Sequence, residues 1–529
     1  MSHWSERAKA VVLFSLAALI YGFGVGRAFA FDDVIYISQN ELLRRGDALR
    51  VFWFSSEAFN YYPLFWSLLR VQWLLWGDQP LGYHAVNLFV HCVNALLVWR
   101  AARALRLPGA WWVAAIFAVH PLYVHTIAWA AEQKNTWSFL FMMLALLAFV
   151  THVRQRDWAS YAAAFVLFIA ALACKTSTVA LPVFLAIYYL AIRGREARGV
   201  LLRLIPFVAS GIAAGVTTMW FEQNRAGAKS LVATLSLWER VETAGATFWF
   251  YLGKTLLPYP LTPMYRGWVD TTAAATTVLP ALLLVVAFVL LVLGRRKVGV
   301  APILGLVFYA LMLAPLLGIF DTNYFAYSLV ADHWQYHALP GAIAAVVCVA
   351  NTIAKKRPEL LRFGNAVGAA AVAALALTAS SHFAHFEDEP TLWRYVIRQN
   401  PDAWIAWYNL ANLQSNERDY RNAIASYRES IRIRPQYYRA RFNLANALAA
   451  SDQLEEADRA FLDARQLVNE DPDAYVNRGV VLLRLGRGDE AETELLRALA
   501  LDPQKRTAHA NLLRLRQNRD ALLAANAGR

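Results

Sequence analysis

The chain has 529 residues, 58% hydrophobic, 13% aromatic and only 17% charged, with a positive mean hydropathy. So small a polar share cannot clothe a soluble globule, and the composition is that of an integral membrane protein. The formal net charge of +13 is dispersed in short basic clusters between apolar runs, which is how topology signals look and argues against nucleic-acid binding.

The N-terminal "MSHWSERAK" enters the first apolar run with no small-residue cleavage pattern. It reads as an uncleaved span with a cytoplasmic N-terminus. Apolar runs near spanning length fall at about 11–30, 85–102, 110–129, 136–152, 158–173, 176–193, 202–221, 273–293, 300–319, 337–354 and 363–381. Basic residues at Arg7 and Lys9, Arg100–Arg106, Arg154–Arg156, Arg193–Arg203, Arg295–Lys297 and Lys355–Arg357 assign their loops to the cytoplasm. The segment "TAGATFWFYLGKTLLP" at 243–258 breaks that parity, and its Gly, Lys and Pro mark it as re-entrant or interfacial. Eleven crossings then deliver the C-terminal region to the non-cytoplasmic side.

Between the first two runs lies a long external loop, about 31–83, that begins "FDDVIYISQN" and continues with aromatic amphipathic pieces suited to a bilayer surface. Asp32 and Asp33 stand where the chain leaves the membrane, either as solvated capping charges or as a catalytic pair. The same side is expected to hold His120, His125, Glu132 and Lys134 from "HPLYVHTIAWAAEQKN" and Lys175 from "ACKTSTVALP". Lys254 joins them from "FYLGKTLLPYPLTPMY", and Asp332, His333 and Tyr336 from "YSLVADHWQYHALPG". Ionisable groups at membrane depth are expensive, so their gathering on one face points to function. For each alone the plain alternative is a snorkelling lysine or a packing histidine. Cys92, Cys174 and Cys348 have neither metal-ligand spacing nor a disulfide framework.

After about Phe386 the composition turns soluble and helical. Asn409, Asn443, Asn477 and Asn511 are 34 residues apart, and Ala423, Ala457 and Ala491 share the period. So do Tyr427, Phe461 and Leu495, while Pro401, Pro435 and Pro503 mark the repeat ends. This resembles the tetratricopeptide repeat. The expected organisation is all-α: a polytopic transmembrane domain over 1–385, then an α-solenoid over 386–529. Its repeats fall at about 404–437, 438–471 and 472–505, with a capping helix at 506–526. Such a stack has no chemistry of its own and offers a surface to peptides or proteins.

The stretches "FDDVIYISQN", "AAIFAVHPLYVHTIAWAAEQKN", "KTSTVALP", "FYLGKTLLPYPLTPMY" and "ADHWQYHALPG" keep an order that resembles a known group. It comprises membrane proteins with C-terminal tetratricopeptide repeats in the C-type glycosyltransferase superfamily, related to protein O-mannosyltransferases. The resemblance implies a catalytic acidic motif in the first external loop, matched by Asp32 and Asp33, and a polyprenyl-phosphate sugar donor. This chain departs from that group's usual pattern at Gln133, Asn135 and His333.

An inverting transfer needs a base for the acceptor hydroxyl, which one of the two Asp on an extended segment supplies, and positive charge for the leaving lipid phosphate. Lys134, Lys175, Lys254 and His333 are the candidates for the phosphate, with His120, Glu132, Asp332 and Tyr336 in support. No metal or other cofactor is expected. The acceptor is a protein or an envelope glycan, recruited by the repeats. The competing readings are an oligosaccharyltransferase or O-antigen-ligase-like enzyme, and a non-enzymatic scaffold presenting the repeats. Richness in Ala, Leu and Arg favours a bacterial inner membrane with periplasmic repeats; in a eukaryote the address becomes the endoplasmic reticulum with lumenal repeats.

Overall fold

The structure, a computed structural model, describes residues 4–224, 232, 235–266, 278–319, 322–356 and 358–527, and is helical with no β-strand among them. It divides into two compact units, Met1–Glu389 and Pro390–Arg529.

The long helices of the first unit are α1 Glu6–Tyr21, α2 Pro63–Trp76, α3 Pro80–Ala104, α4 Ala110–Val119, α5 Gln133–Gln155, α6 Trp158–Cys174, α7 Leu181–Arg193 and α8 Arg198–Asn224. They continue with α9 Leu237–Leu256, α10 Leu279–Leu293, α11 Ala301–Leu313, α12 Leu339–Lys356 and α13 Pro358–Phe383. Each of the eleven apolar runs falls on such a helix, although 273–277 of the eighth lie outside the described residues. Six stretches are long and apolar enough to cross a membrane, or seven if a bent pair counts as one, among the described residues. One of the six, Thr176–Asn224, contains both α7 and α8.

Local chemistry sets the ends. The Ser5 side chain accepts from the Ala8 N–H at 3.1 Å to open α1. Ser236 and Glu239 form a reciprocal capping box at the start of α9. The bent pair is α4 followed by 121–128, turned through 50°. Pro121 has no N–H to continue the ladder and biases His120 to an extended backbone, φ −67° and ψ 129°. The chain then runs through short turns at Pro121–Tyr123, Val124–Ala128 and Ala130–Glu132 before α5 begins.

Where α11 meets α12 the backbones touch. A Cβ on Gly305 would sit 2.6 Å from the Gly341 carbonyl oxygen, and one on Gly341 would sit 2.5 Å from that of Gly305. Small residues of this kind let helices approach where lipid supplies no hydrophobic drive.

The external stretch 31–83 folds into a core of its own. Tyr36, Phe52, Phe65 and Trp66 pack with Trp129, and Tyr36 stacks on Trp66 at 5.0 Å. Its opening is not the extended segment expected from the sequence. Phe31 has φ +54°, and Asp33 leads, in helical dihedrals, into a wide helical turn over Val34–Ser38.

In the second unit α14 Glu389–Gln399 precedes three helix pairs, α15 Trp404–Asn416 with α16 Tyr420–Ile433, α17 Tyr438–Ala450 with α18 Leu454–Arg465, and α19 Pro472–Arg484 with α20 Gly488–Leu501; α21 Arg506–Ala527 closes the array. Ala411, Ala423, Ala445 and Ala457 form the seam, with Tyr427 and Phe461 filling it. The turn inside each pair contains one left-handed residue, at Arg418, Asp452 and Gly486, again 34 residues apart. Arg478 is buried between Asp458 and Glu494, at 2.6 Å from each.

Candidate functional site

The two acids diverge. Asp33 is fully buried and accepts three backbone N–H bonds, from Ala30 at 3.2 Å, Ala130 at 3.2 Å and Ala131 at 2.6 Å. Burial pushes its carboxyl up to about 8, against the pull of those three donors. It clasps the open turn ahead of α5, where the break after α4 leaves main-chain donors unused. Asp32 is exposed to water, although protein crowds it on most sides. Burial raises its pKa; the Lys134 ammonium pulls the other way, and Glu132 adds to the rise.

Around Asp32 stands a polar group from the start of α5 and the end of α6. Glu132 pairs with the Lys134 ammonium at 2.7 Å and lies 4.0 Å from that of Lys175. Lys175 donates to Asn135 Oδ1 at 2.7 Å, and the Asn135 amide donates to Glu132. Lys134 also sits over the Tyr36 ring, 5.0 Å from its centre. His333 faces the same group, its ring edge-on to Trp129 at 5.5 Å and to Tyr324 at 5.4 Å. Burial pulls the imidazole down to about 4 despite Glu132, so it is neutral at pH 7, and its buried Nδ1 has no hydrogen-bond partner among the described residues. Asp32, Glu132, Lys134, Lys175 and His333 thus share one locale.

Lys254 and Asp332 form a second locale. The Lys254 ammonium donates to the Pro260 carbonyl at 2.5 Å and lies 5.1 Å from the Tyr265 ring centre. The Tyr265 hydroxyl reaches both Asp332 oxygens, at 2.8 and 3.0 Å. Burial raises Asp332 to about 7 against Tyr265 and Lys254. His125 Nδ1 stands 3.8 Å from the same carboxyl. Tyr324 joins the two locales: its phenol senses Asp32, Asp332 and Glu132, which with burial keep it protonated.

His120 and Tyr336 belong to neither. His120 Nδ1 accepts from Leu122 N–H at 3.3 Å and its Nε2 meets the Thr255 carbonyl at 3.2 Å, which secures the bend. The Tyr336 hydroxyl meets His91 Nδ1 at 2.9 Å and Asn94 Nδ2 at 3.1 Å, in the packed interior. Sequence reasoning missed Tyr36, Tyr265 and Tyr324. Tyr36 was within reach: it lies four residues after Asp32, and its N–H bonds the Asp32 carbonyl at 2.7 Å as helical spacing requires. Tyr265 closes the quoted stretch "FYLGKTLLPYPLTPMY", eleven residues after Lys254, but was not singled out in it, and Tyr324 comes from a distant loop with no local signal. Among the described residues no three His, Cys, Asp or Glu side chains converge as metal ligands.

Residues 405–437 and 442–506 match the tetratricopeptide repeat, so the second unit is a tetratricopeptide-repeat array. The chain is similar to protein O-mannosyl-transferase Tmtc1 of Drosophila melanogaster, 31% identical over 183 residues that make up 31% of this chain and 21% of that one. Protein O-mannosyl-transferase TMTC1 of Homo sapiens is 30% identical over 162 residues, 28% of this chain and 18% of its own. Protein O-mannosyl-transferase TMTC3 of Mus musculus is 22% identical over 595 aligned positions, 93% of this chain and 64% of its own. The match therefore spans about a fifth of the first two relatives and under two thirds of the third. Among solved structures, the Arabidopsis OM64 TPR domain is 25% identical over 22% of this chain and 95% of its own, with a TM-score of 0.21.

Proposed function

We propose that this multi-pass membrane protein is an inverting glycosyltransferase that moves a hexose, of mannosyl type, from a polyprenyl phosphate to a protein hydroxyl on the non-cytoplasmic side. The observation that carries the reading is the asymmetry of the acidic pair: Asp33 is held by three amides, while Asp32 stays open to water near Lys134, whose partner Glu132 also lies 4.0 Å from Lys175. The names of the relatives supply the reaction class.

Asp32 takes the proton of the acceptor hydroxyl as its oxygen attacks the anomeric carbon. The bond from that carbon to the phosphate oxygen breaks, and its electron pair leaves on the polyprenyl phosphate. Lys134 and Lys175 act as compact positive charges where that negative charge collects. Glu132 and Asn135 hold the lysines in place before the phosphate arrives. A neutral His333 donates a hydrogen bond rather than a charge. Lys254 acts through Asp332, outside this first group. The repeats recruit the acceptor protein and raise its effective concentration.

The test is transfer from a mannosyl-phosphoryl polyprenol to a peptide acceptor by purified Asp32→Asn protein. Loss of about 10²–10⁴-fold in rate is expected, the usual contribution of a positioned general base. Undiminished transfer by a correctly inserted variant removes Asp32 from the mechanism.

A further inference from the structure

At the other end of the first unit, α3, α4, α5, α7, α11 and α12 enclose an apolar cavity of about 460 Å³, within the ~300–1,000 Å³ typical of ligand pockets. Its walls include Phe184, Tyr188 and Tyr189, and three arginines join the lining: Arg106 just after α3, Arg154 in the last turn of α5 and Arg193 at the end of α7. Lys134 and Arg154 both belong to α5, twenty residues apart, so about 30 Å of helix separates this cavity from the acidic site. The arginines converge: the Tyr188 phenol senses all three, and the Arg193 guanidinium lies 5.5 Å from the Tyr189 ring centre. Among the described residues none of the three has a carboxylate within ion-pair distance, whereas Arg103 nearby pairs with Glu6.

Basic residues at helix ends have a generic use as topology signals, and that use requires neither convergence nor a cavity. Three guanidinium groups without counter-charge around an apolar hole complement a ligand with an anionic head and a hydrocarbon tail. We infer that this cavity is a binding site for an anionic phospholipid, its phosphate held by Arg106, Arg154 and Arg193 and an acyl chain lying along Phe184 and the neighbouring apolar wall. Among the described residues no Asp or Glu lines the cavity, so the bound lipid is structural or regulatory rather than a substrate.

The experiment is lipid retention by the full chain, purified in neutral detergent and analysed by native mass spectrometry with phosphatidylglycerol, phosphatidylcholine or a polyprenyl phosphate added. Wild type is expected to retain one phosphatidylglycerol at least tenfold more strongly than phosphatidylcholine. The triple variant Arg106→Lys, Arg154→Lys and Arg193→Lys keeps every topology charge but loses the planar fork, and should lower retention at least tenfold. Ala344→Phe, which fills the cavity, should do the same, whereas Arg295→Lys with Arg296→Lys, a basic cluster that is not part of the lining, should leave retention unchanged. Equal retention by wild type and the triple lysine variant overturns the site. So does an equal loss in the Arg295/Arg296 control, or a polyprenyl-phosphate retention that exceeds that of phosphatidylglycerol and is lost in the triple lysine variant, which would make the cavity a polyprenyl site. Should Ala344→Phe fail to fold, the lysine triple, which alters only exposed side chains, decides the matter.

Discussion

A carboxylate that accepts three main-chain N–H bonds has little lone-pair capacity left for a reacting hydroxyl, and this separates Asp33 from its neighbour. Asp33→Ala strands the buried donors of Ala130 and Ala131 and is expected to cost about 2–5 kcal/mol, read as a lower unfolding midpoint in detergent. Asp32→Asn, at an exposed side chain, should leave that midpoint where it is. Equal midpoints for the two variants would contradict the division of roles. Asp332 supplies a pH effect. Its folded carboxyl is raised to about 7, whereas an unfolded aspartate titrates near ~4. The folded state therefore binds the extra proton between those values, and its contribution to stability, complete below about pH 4, is lost as pH rises through 7. Asp332→Asn should flatten that part of a midpoint-against-pH curve; an unchanged slope would assign it to other groups. The sequence showed two adjacent acids just after the first apolar run, but not which one was bound. That depends on amides 97 residues away, which no local pattern records.

At the scale of elements, apolar runs located the apolar helices well, because hydrophobic length is a property of the run itself. Pro121 was visible too, though as a residue beside a packing histidine rather than as the cause of a broken helix. Its consequence appears only in three dimensions: the turns after it supply the donors for Asp33 and begin the Glu132–Lys134–Asn135 group. Lys254, one of four candidates for the phosphate, was placed by its position in the segment read as re-entrant or interfacial. The fold of 258–266 draws it to the Pro260 carbonyl and the Tyr265 ring instead. The pairing of Gly305 with Gly341 was not legible, since neither sits in a motif. Gly305→Ala inserts a methyl group against the Gly341 carbonyl and should destabilise the first unit by about 1–3 kcal/mol, measured by thermal unfolding in detergent. A neutral result would mean that α11 and α12 slide apart at no cost.

For the molecule as a whole, the second unit was the most legible part, since a 34-residue period announces helix pairs that each need a neighbour. Division of labour between the units gives a kinetic expectation. Ala445→Arg, in the buried seam of the repeats, should raise KM for a folded protein acceptor several-fold while kcat on a short peptide stays within about twofold. Asp32→Asn should instead lower kcat on both. A collapse of peptide turnover in the Ala445 variant would show that the array does more than recruit. The clasp at Asp33 has a further consequence for how such a chain can drift. Two of its three partners come from positions 130 and 131, and they are contributed by the main chain. Any residue with an amide hydrogen can therefore replace those alanines, as far as this joint is concerned, and only proline cannot. The burden of keeping a tether across 97 residues falls on a single side chain, so its failure is a one-letter event on one side and nearly impossible on the other.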